Sequence, residues 1–246
     1  MKFPSRFLSI LGIVPLCALS ALAQGPGASG NPSVFWRNVE KQLDLPTTYS
    51  VDMSIATMGM TMESRLYRSG DKSRTEMTMP FMNLKMAALE IPEKGSIATY
   101  SLFPEKKKYM ADPNEADDSL TASPAPVIED LGTETYEGVA CSKRRVLMDM
   151  EGVKGEMTLL LSPQLKGMPV KITMNATMPA QPGQPAMPVQ SVVLFKNYVF
   201  STPEDSLFAI PEDYTQINDM MEVMMDGGAE GFGALLQQMQ QAQPEE

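Results

Sequence analysis

The chain has 246 residues, 20 basic against 30 acidic, no histidine, two cysteines and 22 methionines. The net charge of −10 argues against nucleic acid and against an anionic membrane surface as partners. The lack of histidine excludes Ser-His-Asp catalysis, Cys-His catalysis and every His-ligated metal site.

Residues 1–23 read as a secretory signal peptide. Lys2 and Arg6 form a basic start, residues 7–22 are nearly all apolar or small, and Ala21-Leu22-Ala23 offers a cleavage site before Gln24. The apolar run is short for an uncleaved anchor. Leu16 stands where a lipoprotein signal needs a small residue before Cys17. No other segment is apolar enough for a membrane-spanning helix, so no transmembrane segment is expected after cleavage. The expected destination is the periplasm or, beyond it, secretion. Cleavage leaves Cys141 without an intramolecular partner, and a strand context suits it as a small buried hydrophobe.

Residues 24–32 (QGPGASGNP) form a flexible lead-in. Ser33 can cap a short helix over residues 34–43, with Phe35, Val39, Gln42 and Leu43 near one face and Arg37, Glu40 and Lys41 elsewhere. So short a helix is marginal alone and should dock on a sheet, helped by Trp36. From Tyr49 the period becomes two. Tyr49, Val51, Met53 and Ile55 alternate with polar or small residues, as do Met60, Met62, Ser64 and Leu66 after Gly59. Ser69-Gly70-Asp71-Lys72 reads as a hairpin turn into a strand over residues 74–79. Residues 81–91 are ambiguous between strand and helix. Residues 96–103 form a strand, and a turn leads on to Lys108-Tyr109-Met110.

Residues 112–126 (DPNEADDSLTASPAP) form an acidic, Pro-rich loop that splits the domain into two halves. Beyond it, residues 132–136 and 139–150 flank a turn at Glu137-Gly138. Met157, Leu159 and Leu161 then alternate with Thr158 and Leu160. Ile172, Met174, Ala176 and Met178 alternate with Lys171, Thr173, Asn175 and Thr177. After a Pro-rich excursion over residues 179–188, residues 189–200 make the last long strand. Its Val192-Val193-Leu194-Phe195 is apolar on both faces, which predicts a central position or a covering helix. Residues 217–225 read as a Met-rich amphipathic helix, within a Met/Gln-rich tail that covers residues 217–246. The expected domain is residues 33–216.

Four short features occur in order along this pattern. They are Phe103-Pro104-x-x-Lys107-x-Tyr109, Gly132-x-x-x-Tyr136-x-Gly138-x-x-Cys141, Gly167-Met168-Pro169-Val170-Lys171, and Asp205-x-Leu207-Phe208-x-Ile210-Pro211-x-x-Tyr214. Behind a signal peptide and a short helix, this arrangement resembles exported bacterial domains of unknown function that are themselves similar to LolA/LolB-type periplasmic lipoprotein carriers. The resemblance covers residues 33–214. It implies a mainly β fold with minor α, an antiparallel unclosed β-barrel with a short N-terminal helix and a C-terminal helical tail. It also implies an apolar cavity, lidded by helices, that holds acyl chains of lipoproteins. Arg65, Arg68 and Arg74 are candidates for the carriers' functional arginine, and the sequence singles out none.

The methionines admit three readings: filler of an irregular core, a deformable wall for a lipid, or Cu(I) binding by thioethers. Adjacent carboxylates at Asp117-Asp118, Glu129-Asp130, Glu204-Asp205 and Glu212-Asp213 fall in expected loops and do not make an acid/base couple. The expected function is therefore a non-enzymatic exported binding protein without cofactor, catalytic residue or dedicated metal site. Its cavity would be lined by Val51, Met53, Ile55, Met60, Met62, Met157, Leu159, Ile172 and Met174, and its partner would be a lipid or a lipoprotein acyl chain. A Met-based Cu(I) protein and a structural envelope protein without ligand are the alternatives.

Overall fold

Period-two alternation builds one sheet. A computed structural model describes residues 32–57, 59–79, 83–93, 96–111, 125–150, 153–178 and 187–225. The expected signal peptide, most of the lead-in, nearly all of the acidic loop, Met58 and Met82 lie outside these residues. So do residues 179–186 and the tail past 225. Helix α1 (Pro32–Gln42) comes first. Strands β1 (Thr48–Thr57), β2 (Met60–Ser69), β3 (Lys72–Met79), β4 (Leu84–Glu93), β5 (Ser96–Phe103) and β6 (Lys108–Ala111) follow. The second half is β7 (Val127–Tyr136), β8 (Val139–Met150), β9 (Val153–Leu161), β10 (Pro169–Met178) and β11 (Met187–Val199). The short β12 (Thr215–Ile217) and helix α2 (Met221–Met225) end the described chain.

The twelve strands form one sheet in the order β12-β6-β5-β4-β3-β2-β1-β11-β10-β9-β8-β7. It is an unclosed, almost wholly antiparallel sheet, and only β12 runs parallel to its neighbour β6. Of the ambiguous stretch, residues 84–91 belong to strand β4. Ile217, expected to open the tail helix, belongs to β12, and the helix starts four residues later.

Residues directly opposite in an antiparallel ladder point to the same face. Val51↔Leu66, Met53↔Phe195, Ile55↔Val193, Ile172↔Leu159, Met174↔Met157 and Val146↔Met157 therefore share one apolar face. Helix α1 lies on that face, burying Val34, Phe35, Trp36 and Val39. Each such side chain contributes about 2 kcal/mol. At the far end the same face carries Met77, Met79, Leu84, Met86 and Phe103, covered by Ile217 and by Val223 of α2. Two short helices thus cover two apolar clusters on this face, with Ser64 and Thr75 between them.

The opposite face is mostly polar. Its apolar part, with Ala87, Leu89 and Leu102, is covered by Phe208 from the single helical turn Asp205–Phe208. Cys141 also lies on this face and is buried, as expected; burial pushes its thiol pKa up. Strand β11 is central, as its two apolar faces predicted. A bulge opposite Ser50 and Asp52, with Asn197 at φ 55°, lets Tyr198 and Phe200 rejoin the apolar face, where they stack at 5.7 Å.

Close ladder packing makes one glycine sensitive. A Cβ at Gly155 would meet the carbonyl oxygen of Asn175 at 2.7 Å and the Met148 methyl at 3.0 Å. Gly155→Ala is expected to lower unfolding free energy by about 1–3 kcal/mol, as other overpacked sites do. Urea denaturation followed by Trp36 fluorescence measures it, and wild-type stability would contradict this packing.

Candidate functional site: the apolar face and its two covers

Seven of the nine residues expected to line a cavity do share one cluster. They are Val51, Met53, Ile55, Met157, Leu159, Ile172 and Met174, and none is more than 6% exposed. The other two do not join them: Met60, at the start of β2, is 38% exposed, and Met62 is half-buried. Phe35, Trp36 and Val39 of α1 belong to the same cluster as the seven.

What holds α1 there is a buried group of charges that sequence reasoning missed. Arg37 and Glu40, expected away from the docking face, point into the sheet and are 9% and 2% exposed. The Arg68 guanidinium, from the apolar face of β2, donates to Glu40 Oε2 at 2.9 Å. Trp36 Nε1 donates to Glu40 Oε1 at 2.9 Å, and the Tyr49 hydroxyl donates to the same oxygen at 3.4 Å. Arg37 donates to Glu90 Oε2 of β4 at 3.1 Å and to Asp71 Oδ1 at 3.3 Å. The Ser73 hydroxyl donates to Glu90 Oε2 at 2.7 Å. Burial pushes the Glu40 pKa up, against the pull of Arg68 and Arg37 and of the Trp36 and Tyr49 hydrogen bonds. Burial likewise lowers Arg37.

The three candidate arginines thus separate. Arg68 alone faces the apolar side and is 5% exposed. Arg65 lies on the polar face, paired with Asp52 at 2.7 Å. Arg74, also on the polar face, donates to Glu76 at 2.9 Å and to the Leu207 carbonyl at 3.2 Å. A signal for Arg68 was present: it continues the inward series Ser64, Leu66. Of the adjacent carboxylate pairs, Asp117-Asp118 lies outside the described residues. Glu204, Asp205, Glu212, Asp213 and Asp130 are exposed, and Glu129 is half-buried. Glu129 and Asp130 are salt-bridged to Arg145 and Arg144.

The two covers differ in what removing them costs. Lifting α1 gives up the burial of Val34, Phe35, Trp36 and Val39, about 2 kcal/mol each, and shifting it within its seat would leave Glu40 or Arg68 buried without its partner, about 3–5 kcal/mol. Helix α2 has five residues, and Val223 is its one fully buried side chain among those whose burial is described. That is worth about 2 kcal/mol. A further anchor is Lys108 Nζ donating to the Glu222 carbonyl at 3.1 Å. Among the described residues, the α2 cover is the weaker one.

An open trough of about 810 Å³ lies elsewhere. Most of its lining is on the polar face, with Asp52, Ser54, Glu63, Arg74, Glu76, Lys85 and Lys196, and Met53, Ser64, Met77 and Met86 of the apolar face also contribute to it. Among the described residues no group of three His, Cys, Asp or Glu side chains could hold a metal ion. No helix among them is long and apolar enough to cross a membrane.

No family model and no curated protein matches the chain. Solved structures do. An uncharacterized conserved protein from Thermus thermophilus is 13% identical, with 75% of this chain and 97% of that chain covered and a TM-score of 0.49. A domain described as an outer membrane lipoprotein-sorting protein, from Vibrio parahaemolyticus, is 10% identical over 71% of this chain and 95% of its own, with a TM-score of 0.34. The Mycobacterium tuberculosis lipoprotein LppX is 10% identical over 69% and 96%, with a TM-score of 0.35. Function is read from this chain's own residues.

Two measurements test the buried charges. Arg68→Met, which strands Glu40, is expected to cost about 3–5 kcal/mol. Arg65→Met, at the half-exposed pair, should cost no more than about 1 kcal/mol. Equal urea midpoints for the two variants would contradict the contrast. The second concerns pH. A carboxyl whose folded pKa is raised contributes stability that is fully present below its ordinary value of 4.5 and is lost as pH rises through the raised one. Glu40→Gln lacks this titration. The stability of wild type minus that of the variant should therefore fall as pH is raised above 4.5. A difference that stays flat or grows would mean that burial does not dominate at Glu40.

Proposed function

We propose that this chain is an exported, non-enzymatic binding protein of the periplasm or beyond, and that it holds an acyl chain of a lipid or lipoprotein against the apolar face of its sheet. One observation carries the reading. An unclosed sheet of twelve strands carries two apolar clusters on one face, and among the described residues these lie beneath helices of 11 and 5 residues rather than beneath a second sheet. Lifting a short helix uncovers apolar surface without breaking a strand ladder, and an acyl chain can replace the contacts that the helix gives up.

A second reading has its own support. The seven clustered cavity candidates are already packed, at no more than 6% exposure, which suits a structural envelope protein whose face is filled by its own side chains. Fluorescent long-chain fatty acid, titrated into the purified protein, separates the two. Binding in the micromolar range or tighter, together with an acyl-sized mass increment in native mass spectrometry of protein from its own envelope, is the expected result. A clean unliganded mass and no uptake would leave the structural reading in place.

A further inference from the structure

We propose that the acyl chain enters beneath α2, onto the methionine-lined end of the face, and that α2 is the segment it displaces. This rests on the acyl-binding reading above and places its site away from the residues that the sequence favoured.

The walls differ in kind at the two ends. Under α1 five methionines, Met157 and Met174 among them, are interleaved with five β-branched side chains, Val51, Ile55, Val146, Ile172 and Val193, whereas strands β3, β4 and β5 under α2 contribute no β-branched side chain to its cluster. β-Branched side chains are stiff at χ1 and hold one shape. Under α2 the wall is Met77, Met79 and Met86, edged by Met110 and Met220. Met77 and Met86 are direct cross-strand partners, and Met79 lies two residues along on the same face. Unbranched thioethers repack around a guest at little cost. The covers differ in the same sense, since α1 is pinned by buried ion pairs and α2 by Val223 and a Lys108 hydrogen bond.

The guest is a long acyl chain, its tail among the methionines of this end.

The full chain and two matched variants test this with a fluorescent long-chain fatty acid. Val223→Asn weakens the seat of α2, and Val39→Asn makes the same change under α1. Apparent affinity scales with the fraction of sites left open, so displacing a competing segment raises it by the reciprocal of that fraction. Val223→Asn is expected to tighten binding by about tenfold or more, with Val39→Asn close to wild type. A photoreactive fatty acid on the wild-type chain gives a readout independent of any variant's folding: adducts should map to the peptides of Met77, Met79 and Met86. Adducts confined to the peptides of Val51, Ile55 and Ile172, or tightening by Val39→Asn alone, would overturn entry under α2 while leaving acyl binding intact. No binding by any form would overturn both.

Discussion

A sheet with one apolar face must hide that face from water, and everything else in this chain follows from how it does so. Closing into a barrel would hide the face and remove both edges. Packing a second sheet on it would do the same with a large, rigid layer. This chain uses neither. Its twelve strands stay unclosed, and short helices are laid on the apolar side. Short helices have little stability of their own. Each must therefore be fixed by what it touches, and the two are fixed by different physics.

Helix α1 is fixed by charge as well as by apolar contact. Buried ion pairs are weak contributors to net stability, because desolvation offsets most of their attraction. Their effect is on geometry. Trp36, Arg37 and Glu40 lie within one turn and a half of the helix, yet the group engages β1, β2 and β4 and the turn at Asp71. A helix seated by apolar contacts alone could slide or rotate at small cost. Any slide here would strand Glu40 or Arg37 in a low-dielectric interior, so the helix has one permitted placement. The raised Glu40 pKa is the trace of that burial. At α2 no such buried ion pair is seen among the described residues, and its placement depends on Val223 and on the fit of methionines around it.

Much of this architecture was legible as alternation. Strands β9 and β10 follow from period-two patterns, and the central place of β11 from apolar residues on both of its faces; β7 begins at Val127, before the expected start at residue 132, in a stretch with no covered face to mark it. The pattern fails where both faces are covered. In β4, Met86 and Ala88 lie on the face that the helices cover, and Ala87 and Leu89 lie under the Asp205–Phe208 turn. With both sides buried the alternation disappears, and the run looks as much like a helix as a strand. The charges of α1 were misplaced for a related reason. Arg37 and Glu40 look like the solvent side of an amphipathic helix unless their partners are known. Arg68 lies 28 residues from Glu40 in sequence, and Glu90 lies 53 from Arg37. Local pattern carries no information on such pairings.

The unclosed sheet leaves two edges that need protection of their own. An exposed edge strand invites pairing with another chain. At one edge, β7 carries a bulge with Gly132 at φ 83° and charged residues tied back to β8. At the other, the chain after β11 passes over the polar face at Phe208, pairs β12 with β6, and reaches the apolar face at Ile217 and Val223. Both edges are thus blocked by local devices, and neither depends on α1 or α2 staying down. In a closed barrel, access to the interior is limited to the mouth unless strands part. Here the ladder can stay intact while a five-residue helix moves. Binding would then draw on the weakest cover and leave the sheet, and the charges that orient α1, undisturbed.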